Sequence, residues 1–298
     1  MTQKHISRRE ALRRITLGTA GSFLLGLLPW KSLSKPTTER SRVILIRDKN
    51  LLDSSGNINP RVLESMMDQA ITMLTGAPDA QNAWKTLIQP EDVVGIKSNV
   101  WSRLPTPVEL EQYIKGRIME VGVREKNISI DDRGIHSNPI FQNSTALINA
   151  RPMRTHDWSG VGSLLKNYIM FTSKPYLLHG DNCADLAKMW LRPEVKGKTR
   201  LNILVMITPL FHGVGPHHFN TKFTWQYNGL IVSKDPVAAD ATGLRIIQAK
   251  RNEYFGRNSP ISPSPKHIEL ADTRHHLGNA SPEKIELIQT GWKEGILI

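Results

Sequence analysis

The chain has 298 residues, of which 39% are hydrophobic and 22% charged, with a net charge of +12 and one cysteine. This mix supports one large or two moderate globular domains and excludes a disordered chain. Cys183 alone excludes an intramolecular disulfide and leaves no four-thiolate iron–sulfur cluster.

The charge is unevenly placed. Lys4, Arg8, Arg9, Arg13, Arg14 and Lys31 precede Lys35 against Glu10 alone, so the body carries +7. It has no basic stripe interleaved with aromatics, so no nucleic-acid partner is expected. Residues 1–34 divide into a basic start, an apolar run from Ile15 to Trp30 and a small-residue exit at Ser32–Ser34, the layout of an export signal. Ser7-Arg8-Arg9-Glu10-Ala11-Leu12 resembles the twin-arginine motif, with Ala11 where the pattern favours Phe. The apolar run is shorter than the ~20 residues of a spanning helix. The expectation is a periplasmic protein handled by the twin-arginine translocation machinery, touching the membrane only through this segment. Retention by an uncleaved signal stays open, because the exit has no clean A-x-A; a basic amphipathic helix on a membrane surface is the other alternative.

After a linker at 35–41, Arg42–Arg47 is an apolar run typical of a strand buried on both faces. Pro60 opens a helix whose stripe is Val62, Leu63, Met66, Met67, Ala70, Ile71 and Leu74, with the methionines as core filler. Glu91–Trp101 contains a strand. Thr106 and Pro107, as cap and first helical residue, begin a helix running to Val121. Asn127–Arg133 contains the next strand. Strand, helix, strand over this length is a right-handed βαβ unit with parallel strands.

Ala146–Arg151 reads as a short segment before a polar loop at 155–160, and a helix is expected from about Asp181 to Leu191. Leu201–Ile207 and Gly229–Ser233 are strands, and Asp235-Pro236 is a helix cap and start. The fold expected is a single α/β domain over 42–298, with a mainly parallel or mixed central sheet flanked by helices in three layers.

In parallel α/β sheets ligands sit beyond the carboxyl ends of strands. Lys97 and Asn99 end one strand and Asp132 ends the next, so they share an edge. Gly162–Asp185 adds Lys166, Asn167, His179, Asp181 and Asn182 among apolar residues, where polar groups are costly without a partner or ligand. Lys166, His179 and Asp132 are the catalytic candidates. Lys97, Asn99 and Asn167, with Gly213 and Gly215 of the loop after Ile207, are the substrate-binding candidates. A divalent metal is a further candidate, on His179, Asp181 and His212, although no H-x-x-x-H or H-x-H spacing occurs. Cys183, beside an expected helix N-terminus, would have a lowered pKa. No P-loop, G-x-S-x-G or G-x-G-x-x-G is present.

Four pieces occur in one order: E-D-V-V-G-I-K-S-N with L-P-T-P, N-I-S-I-D-D-R, V-G-S-L-L-K-N with Y-L-L-H-G-D-N-C-A-D, and I-V-S-K-D-P-V-A-A-D. Together they resemble the bacterial family known as domain of unknown function 362, over about residues 90–250. The resemblance implies an α/β domain, often with a twin-arginine signal, and a common site at Lys97, Asn99, Asp132, Lys166, Asn167, His179, Asp235 and Asp240. Asp235 also reads as a helix cap, and Asp240 as a residue at or near the helix surface. Some relatives carry iron–sulfur segments, which this chain lacks. The family pattern also implies an acid after the Leu201–Ile207 strand, where Thr208-Pro209 stands.

The function expected is an exported enzyme acting on a small anionic or carbonyl-bearing molecule at the carboxyl edge of the sheet. The alternative is a periplasmic binding or accessory protein that uses the same pocket without turnover.

Overall fold

Strand β1 (Ser41–Arg47) buries every residue from Val43 to Arg47, as its branched apolar run requires of a strand covered on both faces. The computed structural model describes residues 40–213 and 218–298. The expected export signal at 1–34, residues 35–39 of the linker, and Gly215 and His217 lie outside the described residues.

Within them the sheet has eight strands. Its order is β3 (Ile128–Asp131), β2 (Val94–Lys97), β4 (Ala146–His156), β6 (Thr199–Leu210), β7 (Gly229–Ser233), β1, β8 (Ile285–Gly291), with β5 (Gly160–Gly162) paired off this path to β4. Strands β3, β2, β4 and β6 are parallel, β7 is reversed between β6 and β1, and β8 is parallel to β1. On the main path every strand except β7 therefore points the same way, and their carboxyl ends form one edge.

Helices α1 (Pro60–Thr75), α2 (Ala80–Leu87) and α3 (Val108–Val121) cover one face through Met67, Trp84 and Ile114. A single turn α4 (Leu164–Asn167), with α5 (Pro236–Phe255) and α6 (Lys266–Thr273), covers the other through Leu165, Val237 and Ile268. This is a three-layer mixed α/β fold, and no helix among the described residues is long and apolar enough to cross a membrane.

Local chemistry sets several boundaries. Asn59 caps α1 by accepting from the backbone N–H groups of Arg61 and Val62, with Pro60 in the first turn. Asp235 caps α5 through Val237 and Ala238. Three expectations are corrected. Thr106 does not cap α3, which begins at Val108; its hydroxyl accepts from the Asn99 N–H and donates to the Ala150 carbonyl, stitching the loop after β2 to β4. Asp240 is fully buried rather than near the helix surface. No helix starts at Asp181, because Asp181, Asn182 and Cys183 all have positive φ, at 49°, 53° and 65°; a short 3-10 turn at Leu186–Leu191 follows instead.

The segment read as ending at Arg151 is an 11-residue strand at the centre of the sheet. Its partner β2 stops at Lys97, opposite Asn149, so Pro152 lies where a missing N–H costs no bond to β2. The second half of β4 overhangs the end of β2. Pairing with β6 shifts register between Pro152 and Arg154. In a regular strand, residues three apart face opposite sides; across this irregularity Arg151 and Arg154 reach the same space.

Candidate functional site

That overhang walls a cavity of about 260 Å³ at the carboxyl edge. Asn99 and Trp101 follow β2, Asp132 and Arg133 follow β3, and Arg151, Arg154 and His156 come from β4. Lys166 and Asn167 come from α4, and Ile169, Met170, Pro175 and His179 close the far side. A larger groove of about 820 Å³ lies between α5 and α6, but none of the charged residues lining it is buried.

The turn carrying Lys166 and Asn167 is pinned from a distance. Ser163 Oγ and the N–H groups of Leu164 and Leu165 all donate to the Asp240 carboxylate, at 2.6, 2.9 and 2.9 Å. Burial pushes Asp240 up to about 6 against those bonds. Asn167 Nδ2 then donates to Asn149 Oδ1 at 2.8 Å, and its Oδ1 accepts from Lys97 Nζ at 3.2 Å.

Lys97 is fully buried and does not line the cavity. Its Nζ donates to Asp132 Oδ1 at 2.5 Å, to the Ser98 carbonyl at 2.6 Å and to Asn167. All three ammonium donors are thus engaged by protein. Burial draws the Lys97 pKa down to about 8 against the pull of Asp132. Burial also opposes ionisation of Asp132, but Lys97 and the Val100 N–H hold that carboxyl below its usual range.

The guanidinium groups lack such partners. Arg151 and Arg154 are 4% and 6% exposed, and among the described residues neither Nε has a hydrogen-bond partner. Arg154 Nη1 donates to Asn99 Oδ1 at 3.0 Å, and its guanidinium lies over the Trp101 ring at 4.3 Å. Burial draws Arg151 down to about 10, with Asp132 and Asp240 opposing through space; burial and then the charge of Arg151 lower Arg154.

Lys166 Nζ donates to His179 Nε2 at 2.8 Å and lies 3.7 Å from Cys183 Sγ. Because His179 Nδ1 faces the Tyr176 carbonyl at 3.3 Å, its proton sits on Nδ1 and its Nε2 accepts. Burial, offset in part by Cys183, brings Lys166 to about 8. His156 Nδ1 accepts from the Trp158 N–H at 3.2 Å, which leaves its proton on Nε2. Burial and the charges of Lys166, Arg151 and Arg154 lower it to about 2, so this ring is neutral.

Of the residues expected from sequence, Asn99, Asp132, Lys166, Asn167 and His179 line one cavity, with Lys97 directly behind Asp132. Gly213, at φ 100°, does not line it; the loop reaches the site through Phe219, whose ring is 5.7 Å from Trp101. The metal candidates point to separate places. Asp181 is exposed and ion-paired with Lys266, while His212 accepts from Arg251 at 3.0 Å and packs on Phe223. Among the described residues no three His, Cys, Asp or Glu side chains group as metal ligands. Burial raises the Cys183 thiol, although Lys166 pulls the other way, and the helix end expected to lower it does not form.

Sequence reasoning missed Arg151, Arg154, His156 and Trp101. The available signal was A-R-P-M-R-T-H continuing directly from an apolar strand.

A family model described as domain of unknown function (DUF362) matches residues 94–245. No curated protein and no solved structure matches the chain.

Proposed function

The chain belongs to the DUF362 family, and we propose that it is an enzyme that seats a small anion, a carboxylate or phosphate, on Arg151 and Arg154 and moves protons through Lys166 and His179. One observation carries this reading: among the described residues two buried guanidinium groups without a carboxylate partner line a cavity whose lining carboxylate, Asp132, is already paired with Lys97. A buried charge without a directly bonded counter-ion is costly, and an anionic ligand offsets that cost. Guanidinium groups bind carboxylate and phosphate in a two-pronged way that fixes orientation as well as charge.

The remaining groups suit proton transfer. Lys166 as the free amine is a base within hydrogen-bond reach of His179, which accepts at Nε2. His156 offers Nε2–H as a neutral donor. Lys97 holds Asp132 and Asn167 in place without entering the cavity.

Isothermal titration of the purified chain with phosphate and with acetate tests the anion seat. Binding that disappears in Arg151→Met is expected; no binding of either anion to the wild-type chain would sink the proposal. Capture without turnover, as in a periplasmic binding protein, needs only Arg151 and Arg154. In that case Lys166→Met would leave anion affinity intact and no substrate would be consumed. The N-terminal motif supports export by the twin-arginine route: Arg8→Lys with Arg9→Lys should hold the protein in the cytoplasmic fraction, and unchanged periplasmic delivery would refute that route.

A further inference from the structure

Two lysines are buried at this edge, and they are held differently. Lys97 has a carboxylate and two further oxygen acceptors. Lys166 is 3% exposed, lines the cavity, and has as its polar neighbours His179 Nε2 at 2.8 Å and Cys183 Sγ at 3.7 Å. No described carboxylate pairs with it. The first, outside the cavity, holds its ammonium against a carboxylate; the second places its amine on the cavity wall, where burial and the nearby charges of Arg151 and Arg154 penalise the cation. A desolvated lysine amine beside other cations is the form that attacks carbonyl carbon.

We infer that Lys166 forms an imine with the carbonyl carbon of a small oxo acid whose carboxylate is held by Arg151 and Arg154. This deepens the anion-binding reading and rests on it. The carbonyl carbon bonds to Nζ, and one nitrogen proton passes through His179 to the former carbonyl oxygen, giving a carbinolamine; the second nitrogen proton follows the same route to that oxygen. The C–O bond then breaks and water leaves, giving Lys166–N=C with no oxidant or reductant. Ile169 and Met170 supply apolar wall on the same cavity, which limits water return. A volume of about 260 Å³ accommodates roughly eight water-sized groups at ~30 Å³ each, the scale of a two- to four-carbon acid.

The test uses the full chain with glyoxylate or pyruvate, followed by borohydride reduction, intact mass and peptide mapping. One reduced adduct per chain is expected at Lys166, at least about tenfold above any exposed lysine given its larger free-amine fraction, and above Lys97, which does not line the cavity. Excess acetate should slow labelling, and Lys166→Met should abolish it while remaining folded by circular dichroism. Adduct spread over several lysines, adduct persisting in Lys166→Met, or no adduct with either acid overturns the inference. Titration with acetate separates the two readings: acetate binding without a Lys166 adduct removes the imine alone, and absence of both removes the anion seat as well.

Discussion

Lys97 Nζ stands 2.5 Å from Asp132 Oδ1, with the lysine side chain fully buried and the aspartate side chain 8% exposed. This pair neutralises the carboxylate that borders the cavity and leaves Arg151 and Arg154 to set its charge. Asp132→Asn should therefore destabilise the fold by about 3–5 kcal/mol, because it strands a buried ammonium. The double variant Lys97→Met with Asp132→Leu should lose clearly less. Urea unfolding of the three chains distinguishes the cases; equal losses for single and double variants would refute a coupled pair.

Lys166→Met should raise the melting temperature at pH 7 while abolishing proton transfer. The folded pKa of about 8 lies below the ordinary lysine value of 10.5, so the unfolded chain binds the extra proton between those values and stability rises with pH across that window. The full cost of burying the cation, on the order of 3 kcal/mol, is present below pH 8. The groups facing Lys166 are Arg151, Arg154 and His156 on β4, His179, Cys183, and His267 on α6. Calorimetry from pH 7 to 10 should show the advantage of the variant shrinking as pH rises.

Arg151→Met should also stabilise the ligand-free chain and should lose anion affinity by at least about tenfold, as expected for removal of a charge-assisted hydrogen bond of 1.5–3 kcal/mol. Arg154→Met should behave differently. Its guanidinium holds Asn99 and stacks on Trp101, so its loss loosens the loop after β2 as well. Equal thermal shifts for the two variants would refute this division.

Asp240→Asn removes an acceptor from the turn that positions Lys166 and Asn167. An amide cannot accept from all three of Ser163 Oγ, Leu164 N–H and Leu165 N–H in the observed geometry. A loss of about 1–3 kcal/mol is expected, together with weaker imine labelling. With its pKa raised to about 6 from 3.8, Asp240 binds its proton more readily when folded, so this group makes the wild type less stable as pH rises from 4 to 6. Melting curves over that range should show the variant lacking this slope.

What the sequence by itself determined is local. Asn59 before Pro60, and Asp235 before Pro236, mark helix starts because cap and first turn lie within three residues of each other. Apolar runs at Arg42–Arg47 and Leu201–Ile207 mark buried strands, and the order of strands and helices implies an edge where Asn99, Asp132, Lys166, Asn167 and His179 meet. Tertiary structure decided what that edge contains. Only the early stop of β2 opposite Asn149 lets β4 overhang it, and only the register shift after Pro152 brings Arg151 and Arg154 to one cavity. Lys97 and Lys166 read alike along the chain, yet Asp132 lies against one and His179 against the other. The carboxylate decides which amine is held in an ion pair and which is left on the cavity wall, and chain segments far apart in sequence decide where that carboxylate stands.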